Sequence, residues 1–172
     1  MTVYAYDTEF LEDGRTIELI SIGIACEDGR EYYAVNVNAD WERIRDSDWL
    51  VNNVLPSLPF IDPDDEFSDL DRTDVAVKPL WVIANEVREF LLSGDTPPQL
   101  WADYAAYDHV ALCQLWGRMI DLPEGIPMFT HDLQYPISVN SYNTVGQESG
   151  QHNALEDARH VMRVLRLWRF AR

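Results

Sequence analysis

Cysteine and basic side chains are scarce in this 172-residue chain, and long apolar runs are absent. The two cysteines, Cys26 and Cys113, fall inside apolar periodic segments. They read as buried reduced thiols rather than a disulfide or a metal pair. No run of about eighteen apolar residues occurs, so no membrane-spanning helix is expected. The opening Met-Thr-Val-Tyr-Ala-Tyr-Asp has a strand pattern and lacks the basic start and apolar stretch of a signal peptide. These absences point to the cytoplasm. Only 13 Lys and Arg stand against 30 Asp and Glu, giving a net charge of −17. That balance argues against tight, non-specific binding to long duplexes.

What is present is the composition of a folded domain: 47% hydrophobic and 12% aromatic residues. The length suits a single domain over residues 1–172 with a sizeable core. The charge is unevenly spread. Asp62, Asp64, Asp65, Glu66, Asp69, Asp71 and Asp74 crowd a stretch of about 62–76, which reads as a solvated acidic surface loop. Arg159, Arg163, Arg166, Arg169 and Arg172 gather at the other end. A metal-dependent site would also bring its own positive charge to an anionic substrate, so short single strands and strand ends stay open as partners.

Along the chain, residues 2–7, 16–26 and 30–37 read as strands, with turn signals at Glu12-Asp13-Gly14 and Asp28-Gly29. They predict an antiparallel three-strand meander. Residues 40–55 suggest a helix or two short helical turns, ended by Pro56 and Pro59. Helical spacing of apolar residues recurs over 79–92 and 105–119. Short strands are expected at 99–103 and 127–133, and a polar, irregular loop at 136–151. Asn153 suits an N-cap for the last helix, with Glu156 placed for a capping box. Leu155, Ala158, Met162 and Leu165 would form its core stripe. The sum is an α/β fold: a mixed sheet, the meander plus parallel strands, flanked by helices.

Five residues in this frame carry chemistry. Asp7 and Glu9, two apart on a strand, share one face. Such a pair can bridge divalent cations, and magnesium and manganese favour these oxygen ligands. Asp108 stands at the start of a helix, where the dipole favours its charge; Asp103 is a local rival. Asp157 sits about one turn into the last helix, on a rigid element. His152 lies just outside it, on a loop able to move. Nearby cations and the helix N-terminus would keep its imidazole neutral, as a general base requires.

The segments around these residues resemble the three motifs of the DEDDh 3′–5′ exonucleases, the ribonuclease T and DnaQ-like enzymes on a ribonuclease H-like fold. Asp7-Thr8-Glu9 matches the first motif, Tyr107-Asp108 the second, and His152 with Asp157 the third. Tyr-Asp-Thr-Glu-Phe, Thr-Ile-Glu-Leu-Ile-Ser-Ile-Gly and Ala-Tyr-Asp-His-Val-Ala-Leu-Cys-Gln-Leu-Trp-Gly are most similar to small stand-alone bacterial exoribonucleases. One departure is visible: many members have asparagine a few residues before the second-motif aspartate, where this chain has Asp103 and Tyr104.

The resemblance implies two divalent cations, Mg2+ or Mn2+. Asp7 would bridge both, Glu9 and Asp157 would complete one site, and Asp108 would hold the other through water. His152 would deprotonate the attacking water. Phe10 and Glu18 would contact the terminal nucleotide of an RNA with a free 3′ end. The family also implies a homodimer, for which Trp41, Trp49 and Trp168 are the candidate surface. A proofreading-type DNA exonuclease and a non-catalytic nucleotide- or RNA-binding module are the alternatives.

Overall fold

The computed structural model describes residues 1–62, 68–135, 146–147 and 149–170. Asp64, Asp65 and Glu66 of the acidic stretch, most of the 136–151 loop, and Arg172 lie outside the described residues.

The meander forms as the alternation and turns require. Strand β1 spans Thr2–Glu12, β2 Ile17–Cys26 and β3 Glu31–Asn36, all antiparallel. The first turn needs Gly14 at φ +80°, and Asp13 Oδ1 accepts the backbone N–H groups of Arg15 and Thr16. The second is closed by Gly29 at φ +95°, with Asp28 Oδ1 accepting from Arg30 N–H. Only glycine takes such angles without steric cost. β1 runs five residues past the 2–7 expected from apolar alternation, because β2 pairs with it as far as Glu12.

Three short pieces follow: α1 (Trp41–Arg45), α2 (Asp48–Asn53) and a 3-10 turn at Leu55–Ser57. This is the two-turn form of the 40–55 segment. Asp40 and Ser47 cap the two helices, breaking what would otherwise be one. The acidic segment carries more structure than a solvated loop at its described flanks. Phe60 bridges to Leu70, Leu70 is buried, and Ser68 Oγ accepts from Asp62 N–H. A two-residue strand, β4 (Val77–Lys78), then adds to β3 in parallel. Two residues are too few for periodicity to reveal.

Helix α3 (Leu80–Leu92), β5 (Pro98–Ala102) and α4 (Ala106–Gln114) come next. α4 ends well short of 119, where Gly117 turns at φ +109°. β6 is only His131–Asp132, and α5 (Ala154–Phe170) closes the described chain. The sheet order is β4-β3-β2-β1-β5-β6, with β5 parallel to β1 and β6 parallel to β5. An antiparallel meander continued by parallel strands is the mixed sheet of a ribonuclease H-like fold.

Helices cover both faces. Tyr4 and Tyr6 of β1, with Ile22 and Ile24 of β2, pack under α3 and α4. On the opposite face Val3, Ala5 and Ala25 meet Ala158, Val161 and Leu165 of α5. Ile20, Val35 and Leu11 pack with α1 and α2 on that same face. Of the three tryptophans expected at a surface, only Trp49 is exposed. Trp168 and Trp41 are half-buried against the second and third of these clusters respectively, because their helices present them inward. No helix of the described residues is long and apolar enough to cross a membrane. Cys26 and Cys113 are both free and buried.

Candidate active site

The site exists because β1 outlasts its parallel neighbour. β5 pairs with β1 only from Thr2 to Ala5. Beyond Ala5 that edge of β1 is open, and its backbone donors need partners. Asp108, in the first turn of α4, supplies one. Its Oδ1 accepts both the backbone N–H of Thr8 (2.8 Å) and the Thr8 hydroxyl (2.6 Å). The second-motif aspartate is thereby locked to the first-motif strand, with Oδ2 left for other partners.

On the α5 face, Asp7 and Glu9 point together, as strand phase dictates. Asp7 pairs with Gly23 across β2, and Glu9 with Ser21. Register then shifts before Phe10, which pairs with Leu19, so Ile20 is an extra residue in β2. Such a bulge bends the ladder beside the carboxylates. Gly23 has a separate role. A Cβ there would sit 2.3 Å from the backbone of Ala154 and Leu155. The first turn of α5 rests directly on this glycine, which brings Asp157 over Asp7 and Glu9.

Asn153 Oδ1 caps α5, accepting from Leu155 and Glu156 N–H groups. The return half of the capping box is absent. The Asn153 N–H donates to the Gly150 carbonyl, and the Glu156 carboxylate pairs with Arg159, which outcompetes a neutral amide. Asp157 is held at both oxygens: Oδ1 by Gln147 Nε2 (2.6 Å) and Oδ2 by the His152 N–H (2.8 Å).

His152 is more firmly tied than a residue on a free loop. Besides its N–H, its carbonyl accepts from Ser57 Oγ (2.9 Å), and its ring meets the Trp49 ring edge-on at 4.9 Å. Its φ is +64°, and Tyr104 has φ +53°. Among the described residues these are the two non-glycine positions with positive φ, and both line the same cavity. Strained backbone of this kind concentrates at functional sites.

That cavity has a volume of about 410 Å³. Asp7, Glu9, Asp108, His152 and Asp157 all line it, as does Phe10. Ligand atoms of Glu9, His152 and Asp157 lie within 4.8 Å of one another. Glu18 is elsewhere: its Oε1 accepts the Asp40 N–H (2.8 Å), and it is not among the cavity-lining residues. Phe10 stacks on Tyr107 at 5.9 Å with planes 7° apart. Trp49, Tyr104, Gln147 and His160 also line the cavity, and the sequence did not assign them to it. For Trp49 a hint existed, since it belongs to a short helix rich in polar residues yet is large and apolar. His160 was readable only through its position three residues after Asp157.

The electrostatics are those of crowded, desolvated carboxylates. Burial, then Asp108, Glu9, Asp157 and Asp103, push Asp7 well above its ordinary range. Burial and the charges of Asp157 and Asp108 raise Glu9 to about 8. Burial raises Asp108 to about 6 against the lowering effect of its two Thr8 hydrogen bonds. Asp157 is also raised by burial, partly offset by Gln147 and the His152 N–H. Both Asp108 and Asp157 sit in first helical turns, where the dipole favours charge; desolvation outweighs it.

No protein-family model matches the chain. It is similar to two 3′–5′ exoribonucleases from two strains of Mycobacterium tuberculosis, each 43% identical over 170 residues. That match covers 95% of this chain and 91% of each relative. Among solved structures it matches Schizosaccharomyces pombe Pop2p in a Mg2+- and Mn2+-bound form. There the TM-score is 0.45 and the identity 15%, covering 95% of this chain and 81% of that one. With 43% identity to the mycobacterial proteins along nearly its whole length, and the three motifs in order, the chain belongs to the DEDDh 3′–5′ exonuclease family.

Proposed function

We propose that this chain is a divalent-metal-dependent 3′–5′ exoribonuclease that releases nucleoside 5′-monophosphates from RNA with a free 3′ end. The observation that carries the reading is the convergence of Asp7, Glu9, Asp108, His152 and Asp157 on one cavity. Its support from relatives is the 43% identity to proteins named 3′–5′ exoribonucleases.

The donor set fits Mg2+ or Mn2+. Carboxylate oxygens dominate it, and the raised Asp7 and Glu9 are groups whose mutual repulsion a cation would relieve. Two bound cations would neutralise the charge at the scissile phosphate and activate water. Asp7 would bridge them, Glu9 and Asp157 would complete one site, and Asp108, with one oxygen committed to Thr8, would hold the other through water. His152 would take the proton of the attacking water on a ring nitrogen, its backbone fixed by Asp157 and Ser57. As water adds to phosphorus, the bond to the 3′ oxygen of the penultimate nucleotide breaks, and that oxygen takes a proton from solvent to become a new 3′ hydroxyl. The Phe10–Tyr107 stack offers a flat apolar surface to the terminal base. Glu18, engaged at Asp40, is the weaker of the two substrate candidates.

The same reading includes a single exonuclease domain over 1–172 with the acidic loop at its surface, a homodimer, and a cytoplasmic setting. Free buried thiols suit a reducing compartment. The test is a comparison of 3′-labelled and 5′-labelled RNA and DNA with Mg2+, Mn2+ or chelator. Expected is metal-dependent trimming from the 3′ end with RNA preferred. Full activity in excess chelator, or a preference for DNA, would refute the reading in its metal or its substrate part respectively.

A further inference from the structure

The cavity is a difficult place for a polyanion. Among the described residues five carboxylates line it: Asp7, Glu9, Asp103, Asp108 and Asp157. No Lys or Arg is among the described lining residues. Cations at the catalytic cluster would answer for the reacting phosphate alone. The rest of an RNA strand must leave across the rim of a protein with net charge −17.

One part of the rim differs. His160 lines the cavity, one turn beyond Asp157 on α5. Arg163 stands one turn further, exposed, with Nη2 3.4 Å from His160 Nδ1. A guanidinium only donates, so the proton of the neutral imidazole sits on Nε2. The pair therefore presents an imidazole N–H beside free guanidinium N–H groups. From Asp157 to Arg163 the helix rises about 9 Å.

The other described basic side chains of α5 are committed. Arg159 pairs with Glu31 and Glu156, and Arg166 Nη2 donates to the Glu27 carbonyl at 3.1 Å. Among the described residues no carboxylate pairs with Arg163.

Resting on the exoribonuclease reading, we propose that His160 and Arg163 bind the backbone phosphate on the 5′ side of the scissile one. They set the path by which the strand leaves the cavity and favour an oligonucleotide over a dinucleotide. Arginine suits this contact because its planar fork donates two parallel hydrogen bonds to phosphate.

The test compares wild type, Arg163→Gln, Arg163→Lys and His160→Gln on two substrates. One is a ten-nucleotide single-stranded RNA. The other is the p-nitrophenyl ester of thymidine 5′-monophosphate, which has the reacting phosphodiester and no upstream phosphate. For Arg163→Gln, KM on RNA should rise about tenfold with kcat little changed, the size of one lost charged hydrogen bond. Kinetics on the ester should stay at wild-type values, and Arg163→Lys should recover part of the loss. Fluorescence anisotropy of the labelled RNA, with Ca2+ replacing Mg2+ to suppress turnover, should give a log–log salt dependence shallower by about 0.7. Unchanged RNA affinity and salt slope in both Arg163→Gln and His160→Gln would overturn the proposal, as would an equal loss on RNA and ester. Failure of wild type to hydrolyse either substrate with metal would instead refute the exoribonuclease reading, and the anisotropy arm would still decide the role of the pair.

Discussion

Replacing Glu9 by glutamine should make the metal-free protein less sensitive to alkali while removing its activity. Glu9 is 7% exposed, and burial with the charges of Asp157 and Asp108 lifts it from 4.5 to about 8. The folded state therefore holds this proton more tightly than the unfolded chain does. For a group raised in this way, the stabilising contribution is complete below pH 4.5 and is lost as pH climbs to about 8. From pH 6 to pH 9 that loss amounts to about 3 kcal/mol for this one group. Glutamine keeps the shape and carries no charge, so the variant should lose about 3 kcal/mol less than wild type across the interval. Asp7 and Asp157 are raised in the same direction and leave both proteins some common pH dependence. Urea unfolding in chelator at pH 6 and pH 9 measures the difference. Mg2+ or Mn2+ at pH 9 should then stabilise wild type more than the variant, because cations offset the charge that glutamine lacks. Parallel loss of stability in the two proteins between the two pH values would refute the argument that Glu9 is a desolvated, crowded carboxylate.

Other outcomes follow from the same geometry. Asp157→Asn keeps the hydrogen bond to the His152 N–H but weakens cation binding, and steady-state turnover of RNA should fall more than about a hundredfold. Wild-type rates in this variant would remove Asp157 from the ligand set. His152→Ala should lose roughly 10²–10⁴ in kcat while Mn2+ affinity, followed by titration, changes by a few-fold. A collapse of Mn2+ affinity instead would make His152 a ligand rather than the base. Gly23→Ala puts a methyl group into the Ala154 backbone at 2.3 Å and should cost about 1–3 kcal/mol. It should also lift α5 and lower activity, and a neutral result in both denaturation and turnover would show that the contact can relax.

The sequence by itself determined the meander, through alternation and two glycine turns, and the cap at Asn153 that starts α5. It also determined that Asp7 and Glu9 share a face, since strand phase is a local property. The order of the motifs was legible for the same reason: each lies on a segment whose apolar pattern anchors it. Tertiary structure alone decided where β1 ends its pairing with β5, and so why Thr8 presents an open N–H to Asp108. It decided that Ile20 is an extra residue, that Gly23 seats α5, and that Ser57 and Trp49 hold His152. Contacts such as Thr8 to Asp108, 100 residues apart, have no local signature, because hydrogen-bond partners across a fold depend on register and helix placement. The same limit separated Arg163 from Arg159 and Arg166. In sequence the three are one basic face. In the fold, the Glu31 and Glu156 carboxylates and the Glu27 carbonyl occupy two of them, and the third stands beside His160 at the cavity.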